Sequence, residues 1–302
     1  MVASEFRFFH IGSLFLFLTK RYKGRMFIYC FYTPSHEVLF KRFFAPSIPK
    51  AFELIAKSFK HQLCPTAAFA QIGWRETQLQ KILFWIEAIK KNWQEIIVCS
   101  DVDAQFFEIS PSLLVSTLGD KDIAFQWNGG YEALCSGFFI CKANQSTLDL
   151  FERIKNRLIK DTMCRGEQLV LNQILGTLLD NKKLKLENRL RSIHSDWTIL
   201  PTTSHYLLSS IKKGYFKFYK KSQLPIRWAV LPHRLFWLPA HSYNSLDELT
   251  PPPSIIFHHA NWTVGTINKL KQLAFVKERM RTGTTLIQKS KEYSQKDIRS
   301  LK

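Results

Sequence analysis

The chain has 302 residues, 46% of them apolar, with 25 Phe and 8 Trp. That composition excludes a disordered protein and leaves room for one large domain or two small ones around a sizeable core. Lys and Arg outnumber Asp and Glu by 43 to 24, a net charge of +19, which favours anionic partners without choosing among nucleic acid, phosphorylated small molecules and an acidic membrane.

In chain order, residues 1–25 come first as an N-terminal extension without an assigned fold. Their cleanest apolar run, residues 11–18, is far short of the roughly 20 residues a membrane-spanning helix needs. No small-residue cleavage site follows, so secretory targeting is not supported. The chain reads as cytoplasmic, with membrane association at this segment as an alternative. MFIYCFY (26–32) is an apolar run closed by Thr33 and Pro34, as in a buried strand. Ser35 is placed to cap a short helix. AFELIAKSF (51–59) reads as a second strand. Across 75–93, Leu79, Ile82, Leu83, Ile86, Ile89 and Trp93 recur at helical spacing.

EIIVCS (95–100) has the continuous apolar character of a central strand. DIAFQW (122–127) and CSGFFICKA (135–143) are further strands. A helix is expected over 144–160 and another in GEQLVLNQILGTLL (166–179). LKLEN (184–188) reads as a short strand. Strands alternating with helices imply an α/β sheet. Residues 194–254 break the pattern with Pro201, Pro225, Pro232, Pro239 and the triplet Pro251, Pro252 and Pro253. SIIFHH (254–259) resumes as a strand, 263–281 as a helix, and residues 282–302 read as a basic, flexible tail.

The cysteines are Cys30, Cys64, Cys99, Cys135, Cys141 and Cys164, with no C-x-x-C pair. They read as reduced, buried thiols and not as a zinc site.

The feature that carries chemistry is SDVDAQFFE. Asp101 and Asp103 follow an apolar strand, and ligands of open α/β sheets bind beyond the carboxyl ends of their strands. Two carboxylates one residue apart can converge on one hard cation. The bland alternative is a pair of salt-bridge partners for surrounding Lys and Arg. A nucleotide sugar would use such a pair: its diphosphate is repelled by bare carboxylates and bound by a cation between them.

Four segments then resemble the nucleotide-diphospho-sugar transferase family with the GT-A fold. They are SDVDAQFF, CSGFFICKAN (135–144), GEQLVLNQIL (166–175) and HHANWTVGTINKLKQL (258–273), in the family's order, and the resemblance extends from about residue 26 to 273. It implies a single catalytic domain over residues 26–281, a Rossmann-like mixed sheet flanked by helices, with 194–254 as a variable, acceptor-side region. It implies a glycosyltransferase acting on a nucleotide diphosphate donor, a uridine diphosphate sugar above all, with retention. Asp101, Asp103 and His259 would hold a divalent metal, manganese first and magnesium second. His258 would face away. Thr33, Lys81, Asp101, Asp103, Ser136, Gly137, Gly265 and Lys269 would meet the donor. Glu167 and Gln168 would sit at the donor sugar as the catalytic pair, although Glu167 stands where the family has Asp. Asn128, Gly129 and Gly130 would admit donor or acceptor closely.

The acceptor is open among glycan, lipid and protein, and no nucleic acid is expected. KKGYFKFYKK, from Lys212 to Lys221, fits a Lys-protected edge strand, an acceptor or peripheral membrane contact, or a nucleic-acid contact. Two rival readings stay open. One is a metal-dependent phosphoryl-transfer or nuclease-type enzyme, for which Glu108 and Asp122 are the nearby extra acids. The other is a non-enzymatic basic membrane- or nucleic-acid-binding protein.

Overall fold

A computed structural model describes residues 25–64, 71–128, 134–160, 166–178, 224–239, 246, 249–261 and 263–299, with side chains up to 283. Residues 1–24, Gly129, Gly130, the strand expected at 184–188, residues 212–221 and Trp262 lie outside that description.

The chain begins with β1 (Met26–Tyr32). A 3-10 turn at Pro34–His36, α1 (Glu37–Leu39), a π turn at Phe40–Phe44 and α2 (Ala45–Ser47) follow without a break. Ser35 is not a cap as expected: Pro34, with its fixed φ, starts the turn and leaves Ser35 inside it. β2 (Phe52–Ser58), α3 (Trp74–Lys91), β3 (Ile96–Ser100) and β4 (Ala104–Phe106) come next. Then follow α4 (Pro111–Leu118), β5 (Ile123–Trp127), β6 (Leu134–Lys142), α5 (Gln145–Lys160) and α6 (Glu167–Leu175). The last described elements are β7 (Trp228–Val230), β8 (Phe236–Trp237), β9 (Phe257–His259) and α7 (Thr266–Arg299).

Six strands form a mixed sheet in the order β2-β1-β3-β6-β5-β7. β1 is parallel to both β2 and β3, while β6 runs antiparallel to β3 and β5. A small sheet, β4-β9-β8, stands beside it. The mixed α/β architecture expected from the sequence is therefore present.

Adjacent aromatics on β6 show how the large sheet is buried on both faces. Phe139 points to the helical side, where Trp85 of α3 meets it edge-on at 4.9 Å and Phe151 of α5 stacks at 5.0 Å. Phe138 points to the other side and stacks on Phe257 of β9 at 3.9 Å. The period-2 alternation of a strand thus ties one segment to two cores.

Three expectations shift. The buried face of α3 includes Phe84, Trp85 and Ala88, whereas Leu83 and Trp93 are exposed. The helix packs against both β1 and α5, so its apolar face is rotated from the stripe read at fixed spacing. α6 ends at Leu175, because Gly176 takes the left-handed conformation (φ 71°) and closes it. α7 continues to Arg299, past the expected onset of the tail. Gly283 weakens a helix by only about 1 kcal/mol, and the Lys, Gln, Glu and Leu around it are good helix formers.

Candidate active site

The site begins where β3 ends. Asp101 N donates to Gly137 O at 2.7 Å, and Ser100 Oγ donates to Asp101 O at 2.8 Å. Two residues on, Asp103 O accepts from Ala260 N at 2.8 Å. Ala104 then pairs with His259 in the small sheet. The chain crosses from the large sheet to the small one between the two acids, and that crossing brings His259 to them. One ligand atom from each of Asp101, Asp103 and His259 lies within 4.8 Å of the others, the only such cluster among the described residues.

Cations surround these acids. Lys81 Nζ, on α3, donates to Asp101 Oδ1 at 3.0 Å and lies 2.8 Å from Glu167 Oε1. It is buried between these two acids. Lys269 Nζ, on α7, contacts Asp103 Oδ2, and His259 Nε2 is 3.2 Å from Asp103 Oδ1.

The titration of the cluster follows from burial and these pairs. Burial pushes the Asp101 carboxyl above the usual range; Lys81 opposes this, and the nearby Asp103 charge reinforces it. Burial also works against the Asp103 carboxylate, but Lys269 and His259 outweigh it and hold the group well below the usual range. Burial disfavours a charged His259, yet the Asp103 carboxylate raises it to about 10. His258 faces the other way, against Gln105 (3.1 Å) and Gln272 (3.2 Å), and burial lowers it to about 3.

The β6 strand is irregular where it meets the cluster. Phe125 pairs with Phe139, but the next residue, Gln126, pairs with Cys135. Ser136, Gly137 and Phe138 therefore have no partners on β5 and bulge toward the acids. Ser136 Oγ donates to Glu167 Oε1 at 2.9 Å, and Ser136 N donates to Gln168 Oε1 at 3.1 Å. A Cβ on Gly137 would lie 2.4 Å from His259 Cε1 and 2.9 Å from Asp101 Oδ2. A side chain there would force His259 or Asp101 to shift, and the glycine keeps the ligand atoms clear. Glu167 opens α6, where the helix dipole favours a carboxylate.

The structure thus brings together Lys81, Asp101, Asp103, Ser136, Gly137, Glu167, Gln168, His259 and Lys269. Thr33 and Gly265 stand at the edge. Thr33 Oγ1 bonds within its own turn, to Ser35 Oγ at 3.1 Å and His36 Nδ1 at 3.4 Å. Thr266 Oγ1 reaches Ser35 O at 3.4 Å and ties this turn to the start of α7. Gly265 is required by its backbone (φ 85°), since no atom lies within 4 Å of a Cβ there. Asn128 Oδ1 accepts from Asn261 Nδ2 at 3.0 Å.

Three neighbours were missed by sequence reasoning. His36 lies within electrostatic reach: burial and then the charge of Lys269 lower its imidazole. Cys135 Sγ is 3.7 Å from His259 Nδ1. Gln126 Oε1 is 3.0 Å from the same nitrogen. Only Gln126 carries a sequence signal, as the polar residue of IAFQW.

The extra acids needed for a two-metal phosphoryl-transfer site do not converge. Glu108 is exposed, and Asp122 is engaged by Arg227 and Asn144 at the other end of β5. The described cysteines are free and buried, as expected, and none joins a ligand cluster. No described helix is long and apolar enough to cross a membrane.

The sequence model of the nucleotide-diphospho-sugar transferase family matches residues 90–273, more than half of the chain. The chain belongs to this family. It is a glycosyltransferase, with a nucleotide sugar as donor and a separate acceptor. The match includes every candidate residue from Asp101 to Lys269; Thr33 and Lys81 precede it. Two solved structures are similar to the transferase. One is a glycosyltransferase involved in the glycosylation of the major capsid of PBCV-1 (9% identity, TM-score 0.43, covering 86% of this chain and 100% of that one). The other is the apo structure of the bifunctional glycosyltransferase WbbM (10% identity, TM-score 0.44), where 85% of this chain aligns with 51% of that one. Comparison with curated protein sequences returns no match.

Proposed function

We propose that this transferase takes a sugar from a uridine diphosphate donor, with retention, using a divalent cation held by Asp101, Asp103 and His259. The observation that carries the reading is the convergence of those three ligand atoms within 4.8 Å. Two carboxylate oxygens and one imidazole nitrogen suit manganese, with magnesium second. The missing side chain at Gly137 supports the fit. Bound there, the cation would supply Lewis acidity to the departing diphosphate.

The chain's own residues supply the rest. Lys269, which balances Asp103, would meet the diphosphate as a charge, and Gly265 would meet it through its backbone. Thr33 would contact the nucleotide. Glu167 already accepts from Lys81 and Ser136. Such a held carboxylate orients the sugar and stabilises developing positive charge, with Gln168 beside it. The acceptor, a glycan, lipid or protein, would be read by residues 194–254, with Lys212 to Lys221 as a peripheral membrane contact.

The test is a panel of nucleotide sugars incubated with manganese, reading released nucleotide and the anomeric configuration of any product by NMR. Release from a uridine diphosphate sugar, stopped by chelation and by Asp103→Ala, is the expected result. Undiminished turnover in Asp103→Ala would contradict it.

A further inference from the structure

We infer that Gln126 is the positioning residue that presents His259 to the cation through Nε2, an inference that rests on the metal reading above. Gln126 is fully buried in a strand whose other residues are apolar. A buried amide is costly unless both its ends are bonded. Here both are. Nε2 donates to Phe236 O at 3.1 Å, and Oε1 lies 3.0 Å from His259 Nδ1.

The direction of this chain of bonds is forced. A backbone carbonyl only accepts, so the amide NH2 must face Phe236 and the amide oxygen must face His259. That oxygen also only accepts, so Nδ1 must carry the proton. In the neutral ring the lone pair is then on Nε2. Nε2 is the nitrogen that faces Asp103, at 3.2 Å. Cys135 Sγ also approaches Nδ1, but at 3.7 Å and as a weak acceptor. It is engaged by Gly137 N at 3.4 Å.

The anchor of the chain is packed between the two sheets. Phe236 pairs with Phe257 in the small sheet and stacks on Phe138 of the large one at 5.6 Å. Gln126 sits where the β5–β6 register shifts. It therefore links β5 to β8 and holds a ring carried by β9. Outer partners that fix a ligating imidazole in this way change metal affinity by roughly 10- to 100-fold when removed.

The experiment compares wild type, Gln126→Leu and Gln126→Glu by manganese calorimetry, with urea melts to monitor folding. Gln126→Leu should weaken manganese by at least about tenfold. Gln126→Glu, which as the neutral acid keeps an acceptor for Nδ1–H and a donor for Phe236 O, should recover most of that loss. NMR of 15N-histidine wild type with magnesium gives a readout independent of any variant's folding. The Nε2 resonance should move on magnesium binding while Nδ1 keeps its proton. Ligation through Nδ1, or full manganese affinity in a folded Gln126→Leu, would overturn the inference alone. Failure of the wild type to bind either cation would overturn the metal reading, and this inference with it.

Discussion

Two sets of aspartates in this molecule are held in opposite ways. Asp122, at the start of β5, accepts from the backbone N–H of Arg227 at 2.9 Å, from Asn144 Nδ2 at 3.0 Å and from the Arg227 guanidinium. Asp103, past the end of β3, is met by the side chains of Lys269 and His259, and Asp101 by Lys81. Both arrangements offset the cost of burying a carboxylate. A backbone donor, however, cannot leave without unfolding the segment, whereas an ammonium on four methylenes can swing away and an imidazolium can give up its proton. Asp122 is a clamp. Under the proposed function, Asp101 and Asp103 are acids whose partners would be exchanged for a cation and a diphosphate.

The widest gap between the two sets should appear in turnover. Asp103→Ala is expected to lower it by more than about 1000-fold, with the far-ultraviolet circular dichroism unchanged.

A second difference is in pH response. The Asp103 carboxylate raises His259 to about 10, so holding the proposed cation would cost the ring a proton at neutral pH. Apparent manganese affinity should therefore rise about tenfold per pH unit between pH 6 and 8, with one proton released per ion. Calorimetry in buffers of different ionisation enthalpy reads both. Without metal the trend reverses. A histidine raised above its ordinary 6.5 contributes stability that is complete below that value and lost as pH climbs toward 10. Urea melts across that window, with and without manganese, should diverge.

Gly137→Ala is expected to act more modestly. Its methyl group would press on His259 and Asp101. Overpacking strain of about 1–3 kcal/mol, carried by the ligand atoms, corresponds to about a 5- to 150-fold loss of metal affinity, read by manganese calorimetry.

The smallest effect on activity belongs to the clamp. Asp122→Ala should leave turnover per folded molecule within about threefold, yet lower stability by about 1–3 kcal/mol because the Arg227 N–H and Asn144 lose their charged acceptor. A denaturant melt beside a turnover assay separates the two. Loss of activity on the scale of Asp103→Ala would erase the distinction.

Much of this was legible before any coordinates. β1, β3, β5 and β6 are long apolar runs, and burial on both faces writes itself into such a run. The acids and His259 were readable because they stand at strand ends within recognisable segments. β4, β7 and β8 were not, because strands of two or three residues carry no period; their pairing is set by the sheets around them. Lys81 is reached only through the family resemblance, since sequence does not say which side of α3 meets the end of β3. Gln126 was passed over because a single amide has no meaning until a carbonyl on one side and an imidazole on the other fix its direction.

The claim that the three-residue cluster recruits a nucleotide diphosphate through a cation is tested most directly by thermal unfolding with uridine diphosphate, manganese, both or neither. The account predicts a rise in melting temperature that requires both together and disappears in Asp103→Ala. An equal rise with uridine diphosphate in the presence of chelator would contradict it.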